Sequence, residues 1–168
     1  MADFESMIEV NLTGLLRMLH LSLPGLLGRA KRGEVSHVIQ IGSVAGRWAY
    51  PKGHVYCATK AAVSSLTQSL RLDLSGTGVR VTEIVPGKVE TEFSLVRFQG
   101  DQKQAQAAYE GYRPLRSEDI ARSIKFCLEQ PLHVNIQEMV IYPTDQASPT
   151  VLSKSPDLLG NRKKKSRK

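Results

Sequence analysis

The chain has 168 residues, of which 41% are hydrophobic and 23% charged. That length makes one domain the natural expectation, with enough apolar material for a real core, and no apolar run reaches the ~20 residues that cross a bilayer. The net charge of +7 is misleading, because Arg162, Lys163, Lys164, Lys165, Arg167 and Lys168 supply six of the positive charges and leave 17 Lys+Arg against 16 Asp+Glu elsewhere.

The basicity is therefore a tail, read as a solvated and disordered end rather than as a nucleic-acid groove. At the other end, Met1-Ala2-Asp3-Phe4-Glu5-Ser6 is acidic and lacks a signal peptide's basic and apolar regions. Cys57 and Cys127 are the only cysteines. Neither has metal-ligand neighbours, so both are expected to be reduced and packed in a cytoplasmic chain.

Residues 3–30 predict a long helix, with Met7, Val10, Leu15, Met18 and Leu19 near helical spacing. Pro24 and Gly25 are expected to kink or interrupt it. The apolar stretch within 36–42 reads as a buried strand. A helix over 54–75 ends at Gly76-Thr77-Gly78, and residues 79–85 alternate like a strand that closes at Pro86-Gly87. Residues 91–112 read as short helices in a mobile insertion. Ser117-Glu118-Asp119 is expected to cap a helix over 117–129 that buries Ile120, Ala121, Ile124 and Leu128. The last strand falls at 139–143, and 146–168 shows no periodicity. Strands alternating with helices imply right-handed βαβ units and a parallel sheet.

Three residues carry chemistry. Ser43 follows the strand at 36–42, at the carboxyl end where open α/β sheets bind ligands. Tyr56 and Lys60 are four apart on one helix and share a face. A phenol is a weak base, with a free pKa near ~10; an ammonium beside it favours the phenolate, and a neighbouring hydroxyl can hold a carbonyl or alcohol oxygen. The trio forms a proton-transfer site for carbonyl–alcohol interconversion.

In order, spacing and context, Ser43 and Tyr56-Cys57-Ala58-Thr59-Lys60 resemble the active site of the short-chain dehydrogenase/reductase family. The resemblance covers residues 3–147. It implies a doubly wound, Rossmann-type parallel sheet and an oxidoreductase that uses a nicotinamide dinucleotide. It also implies that Asn11 completes a catalytic tetrad by supporting a water relay toward the lysine. Pro86, Gly87, Val89 and Thr91 match the family's Pro-Gly-x-Val-x-Thr segment, which with Tyr56 and Lys60 implies the nicotinamide-binding side. Residues 91–98 and 133–139 resemble the branch acting on serine, allo-threonine and related 3-hydroxy acids. That branch implies NADP as cofactor, with NAD not excluded, and homo-oligomers in the full-length form. Arg97 would pair with a substrate carboxylate, beside Ser43 and Tyr56 as substrate contacts. His20 and His54 are read as structural.

The family's Gly-rich turn after a first strand and its upstream Asn-Asn-Ala-Gly segment have no counterpart in the sequence. The chain is therefore expected to be the carboxyl-terminal two-thirds of such an enzyme, residues 1–147 forming part of one domain and 148–168 a disordered basic tail. About three β-α repeats of ~30 residues would be lacking. Without the phosphate-binding part the chain is expected to be inactive alone. A rival expectation is a non-catalytic fragment that joins full-length subunits through the helices at 3–30 and 54–75.

Overall fold

The computed structural model describes residues 1–154; the basic run at 162–168 lies outside the described residues. Along the chain stand α1 (Ala2–Ile8), a π-helical turn (Glu9–Thr13), α2 (Gly14–Lys31), β1 (His37–Ile41), a 3-10 turn (Val44–Gly46) and α3 (His54–Asp73). They are followed by β2 (Arg80–Pro86), α4 (Phe93–Arg97), α5 (Gln102–Ala107), α6 (Ser117–Leu128) and β3 (Glu138–Ile141).

The three strands are all parallel, in the order β1-β2-β3. His37 pairs with Arg80 and Ile41 with Ile84 across the first ladder, and Glu83 pairs with Glu138 across the second. β2 is central, and all seven of its residues are buried. Helices cover both of its faces, as a parallel strand requires. On one face Val81 meets Leu19 of α2 and Leu70 of α3, with Leu74, Val38 and Val79 completing the cluster. On the other, Cys127 of α6 is buried, and both cysteines are free thiols.

Alternation in β2 therefore separates two helix layers rather than core from water, and its polar residues need partners. Arg80 finds them at the carboxyl end of α6, donating to the carbonyl oxygens of Leu128 (3.0 Å), Gln130 (3.0 Å), Val134 (3.3 Å) and Cys127 (3.4 Å). The guanidinium satisfies carbonyls that a helix end leaves open and lies at the negative end of its dipole. Asn135 completes the ladder ahead of β3, accepting from the Val81 amide at 2.7 Å and donating to its carbonyl at 3.1 Å. Gly76 (φ +77°) and Gly78 (φ +82°) make the turn from α3 into β2 in a conformation that other residues resist.

Several expectations are corrected. α2 runs through Pro24 unbroken, and the irregularity falls instead at the π-helical turn that carries Asn11. Proline removes one amide donor, which a helix packed along its length tolerates. The amino terminus of α6 is organised around Arg116 rather than Ser117: the Asp119 carboxylate accepts from the Arg116 amide at 2.7 Å. Its most buried side chain is Cys127, while Ala121 and Leu128 are exposed. Residues 146–154, expected to lack structure, include a buried Gln146 bridged to Leu152.

Candidate active site

Each side chain of the site is set by the backbone that carries it. The Gly42 amide extends the β1–β2 ladder by donating to the Ile84 carbonyl at 2.8 Å. Ser43 is extended (φ −169°), and its hydroxyl accepts from the Ala45 amide at 3.1 Å, starting the 3-10 turn. That turn lies directly on α3. A Cβ added to Gly46 would sit 2.6 Å from the Lys60 carbonyl oxygen and 2.7 Å from its carbon, so only glycine permits this approach. Gly46 thereby fixes the separation of Ser43 from the Tyr56–Lys60 helix.

Ser43, Tyr56, Lys60, Pro86, Gly87, Val89, Thr91 and Arg97 all line one cavity of about 750 Å³ at the carboxyl ends of β1 and β2. Asn11 does not line it. Its amide nitrogen donates to the Thr59 hydroxyl at 3.1 Å, and that hydroxyl donates to the Tyr56 carbonyl at 2.9 Å. Asn11 thus holds the backbone between Tyr56 and Lys60, from a π-helical turn of the kind frequent at functional sites.

Burial pushes the Tyr56 phenol above its ordinary range, while a hydrogen bond with the Ser43 hydroxyl and the charge of Arg97 pull it back. The phenol therefore stays protonated at neutral pH. Arg97 is thus a second cation near the phenol, beside the Lys60 to which the sequence pointed. The Lys60 ammonium donates to the Ile41 carbonyl at 2.9 Å. Burial lowers its pKa, and the Glu83 carboxylate raises it. Glu83, itself buried and pushed upward by burial, is held by Ser64 at 3.0 Å and Arg47 at 3.1 Å.

The loop after β2 is clamped from both sides. Gly87 donates to the Ile141 carbonyl at 2.7 Å, and Leu115 donates to the Lys88 carbonyl at 3.0 Å and accepts from the Glu90 amide at 2.8 Å. Gln146 accepts from the Lys88 amide at 2.8 Å, and its oxygen lies 2.5 Å from where a Gly87 Cβ would be. Tyr109 donates to the Val89 carbonyl at 3.0 Å and accepts from Ser94 at 2.6 Å. Phe93 covers Tyr56 with ring centroids 5.4 Å apart. Sequence reasoning missed Gly46, Gln146, Tyr109 and Glu83; only Gly46, in the Ser-Val-Ala-Gly stretch, carried a local signal. His54, read as structural, caps its neighbour's amide at 2.9 Å and meets Phe4 edge-on at 5.2 Å.

Three hydroxyls, an ammonium and an apolar wall suit a nicotinamide ring with its carboxamide and ribose. The pyrophosphate finds no such set among the described residues, since β1 and β2 lead into Gly42-Ser43 and Pro86-Gly87 rather than into a Gly-rich turn opening a helix. The model of the family described as short chain dehydrogenase matches residues 1–102. The chain belongs to that family. It is 46% identical over 147 residues to sulfoacetaldehyde reductase 2 of Chromohalobacter salexigens, covering 88% of this chain and 57% of that protein. It is 47% identical over 146 residues to an NADP-dependent 3-hydroxy acid dehydrogenase of Salmonella typhi, covering 86% and 57%.

Among solved structures, the closed form of serine dehydrogenase complexed with NADP+ superposes with a TM-score of 0.83 and 44% identity. There the match covers 87% of this chain and 58% of the other. Within that family the chain stands near the serine and 3-hydroxy acid dehydrogenase branch, and its sheet is part of a doubly wound Rossmann-type fold. The chain spans a little over half the length of these relatives. No helix among the described residues is long and apolar enough to cross a membrane.

Proposed function

We propose that this chain carries the catalytic portion of an NADP-dependent oxidoreductase that interconverts the alcohol of a 3-hydroxy acid and the corresponding ketone. The observation that carries the reading is the convergence of Ser43, Tyr56 and Lys60 on one cavity beyond the carboxyl ends of the strands. The naming of relatives as NADP-dependent supports the choice of cofactor. A bound nicotinamide would supply the hydride acceptor for oxidation and the donor for reduction.

The Ser43 hydroxyl holds the substrate oxygen. Tyr56, whose pKa burial raises, gives its proton to that oxygen in reduction, and in oxidation the phenolate takes the alcohol proton. Arg97 eases the phenol toward its charged form and offers a carboxylate a partner. Lys60, anchored on the Ile41 carbonyl, would hold the nicotinamide ribose. Pro86, Gly87, Val89 and Thr91 would hold the carboxamide side, and Asn11 keeps Tyr56 and Lys60 in register through Thr59.

Turnover is tested by NADP reduction with serine, alone and with the chain joined to the remaining part of a relative. Tyr56→Phe abolishes turnover of the active form while cofactor affinity stays nearly intact; retained turnover would defeat the assignment. A second reading, a non-catalytic fragment that joins full-length subunits, draws on apolar side chains left in solvent. Val10 is 70% exposed, Leu21 74% and Leu72 75%, on the helices at 3–30 and 54–75. A nicotinamide titration followed by Trp48 fluorescence separates the two: saturable binding favours the enzyme, and silence favours the fragment.

A further inference from the structure

The catalytic trio leaves two cations of the cavity unused. Lys88, the variable residue of Pro86-Gly87-Lys88, lines the cavity together with Arg97. Its ammonium lies over the Tyr112 ring, 5.6 Å from the centroid. Burial lowers its pKa, and the charges of Lys154 and Arg97 lower it further, so the three cations share one neighbourhood. The Arg97 guanidinium lies over the rings of Tyr50 and Phe98 at 5.8 and 5.9 Å. Among the described residues no carboxylate is within ion-pair distance of Lys88, Arg97 or Lys154. Glu90, two residues from Lys88, lines a separate and smaller groove.

Lys88 is half-buried and loses hydration, while the exposed Arg97 and Lys154 add like charge beside it. Proteins retain such an arrangement where an incoming anion supplies the missing charge. One carboxylate on Arg97 satisfies the fork geometry of a guanidinium and leaves the Lys88 ammonium, a point donor, still uncompensated. We propose that Lys88 forms a second anion subsite, selecting 3-hydroxy acids that carry another negatively charged group at the end remote from the first carboxylate. The inference rests on the hydroxy-acid reading of the cavity and adds to it a preference for dianions.

The test is calorimetric titration of the chain with 3-hydroxyglutarate, a dianion, and 3-hydroxybutyrate, a monoanion. The wild type binds the dianion about tenfold more tightly, a margin typical of a partly desolvated charge pair. Added salt narrows that margin. Lys88→Gln brings the two acids to parity by weakening only the dianion, and Lys88→Arg restores the preference. Equal wild-type affinities, or a Lys88→Gln loss shared by both acids, overturn the subsite while leaving the hydroxy-acid reading intact, since that reading requires only that the monoanion bind. Failure of both acids to bind the wild type overturns both.

Discussion

Replacing Gly46 by alanine tests whether the approach of the 3-10 turn to α3 builds the site. The added methyl carbon would lie 2.6 Å from the Lys60 carbonyl oxygen, 2.7 Å from its carbon and 3.0 Å from the Ala61 nitrogen. All three are backbone atoms of a helix, so no side chain can rotate away. The turn itself must move, carrying Ser43 away from Tyr56. Overpacking of this kind costs about 1–3 kcal/mol, and in a chain of this size each kcal/mol lowers Tm by roughly 2–4 °C. Gly25→Ala is the internal control. Gly25 lies inside α2, and an added methyl there would meet nothing within 4 Å. That exchange stabilises by about 0.5–1 kcal/mol because alanine loses less entropy on folding. Urea denaturation of both variants should give opposite signs. If Gly46→Ala matches the wild type in stability while Gly25→Ala behaves as stated, the close approach is not what holds Ser43.

Two further outcomes follow from the polar interior. Burial and the neighbouring Arg80 charge lower the His37 pKa from 6.5 to about 4, its Nε2 lying 2.7 Å from the Thr82 hydroxyl. The unfolded chain therefore binds a proton more readily, so this contribution is complete above pH 6.5 and is lost as pH falls toward 4. Subtracting the pH–stability curve of His37→Gln from that of the wild type should isolate this slope, and a flat difference would contradict it. Arg80→Met strips the end of α6 of its donors at once and should destabilise by about 3 kcal/mol, since buried acceptors left unpaired are costly. Urea denaturation measures it, and a loss under about 1 kcal/mol would mean that water replaces the guanidinium.

The local code of the chain was enough for the main helices and strands and for the placing of Ser43, Tyr56 and Lys60 on one cavity. Helical spacing put Tyr56 and Lys60 on one face, the apolar stretch before Gly42 made a strand, and Pro86-Gly87 closed the next. These signals lie within a few residues of one another, where backbone geometry dictates the outcome. The parallel, alternating architecture was legible as well, since short strands separated by helices have few other ways to bury both faces.

The destinations of the polar residues emerge only from the packed layers. Arg80, Glu83 and Gln146 look solvent-facing in sequence, yet each is buried. Their partners arrive from far along the chain: Arg80 meets carbonyls 47 to 54 residues away, and the Lys88 amide meets Gln146 across 58. A buried polar group is tolerated only where such partners converge, and convergence is a property of how helices and strands stack rather than of any local pattern. For the same reason the approach of Arg97, the last residue of α4, to the Tyr56 phenol was not legible in the sequence.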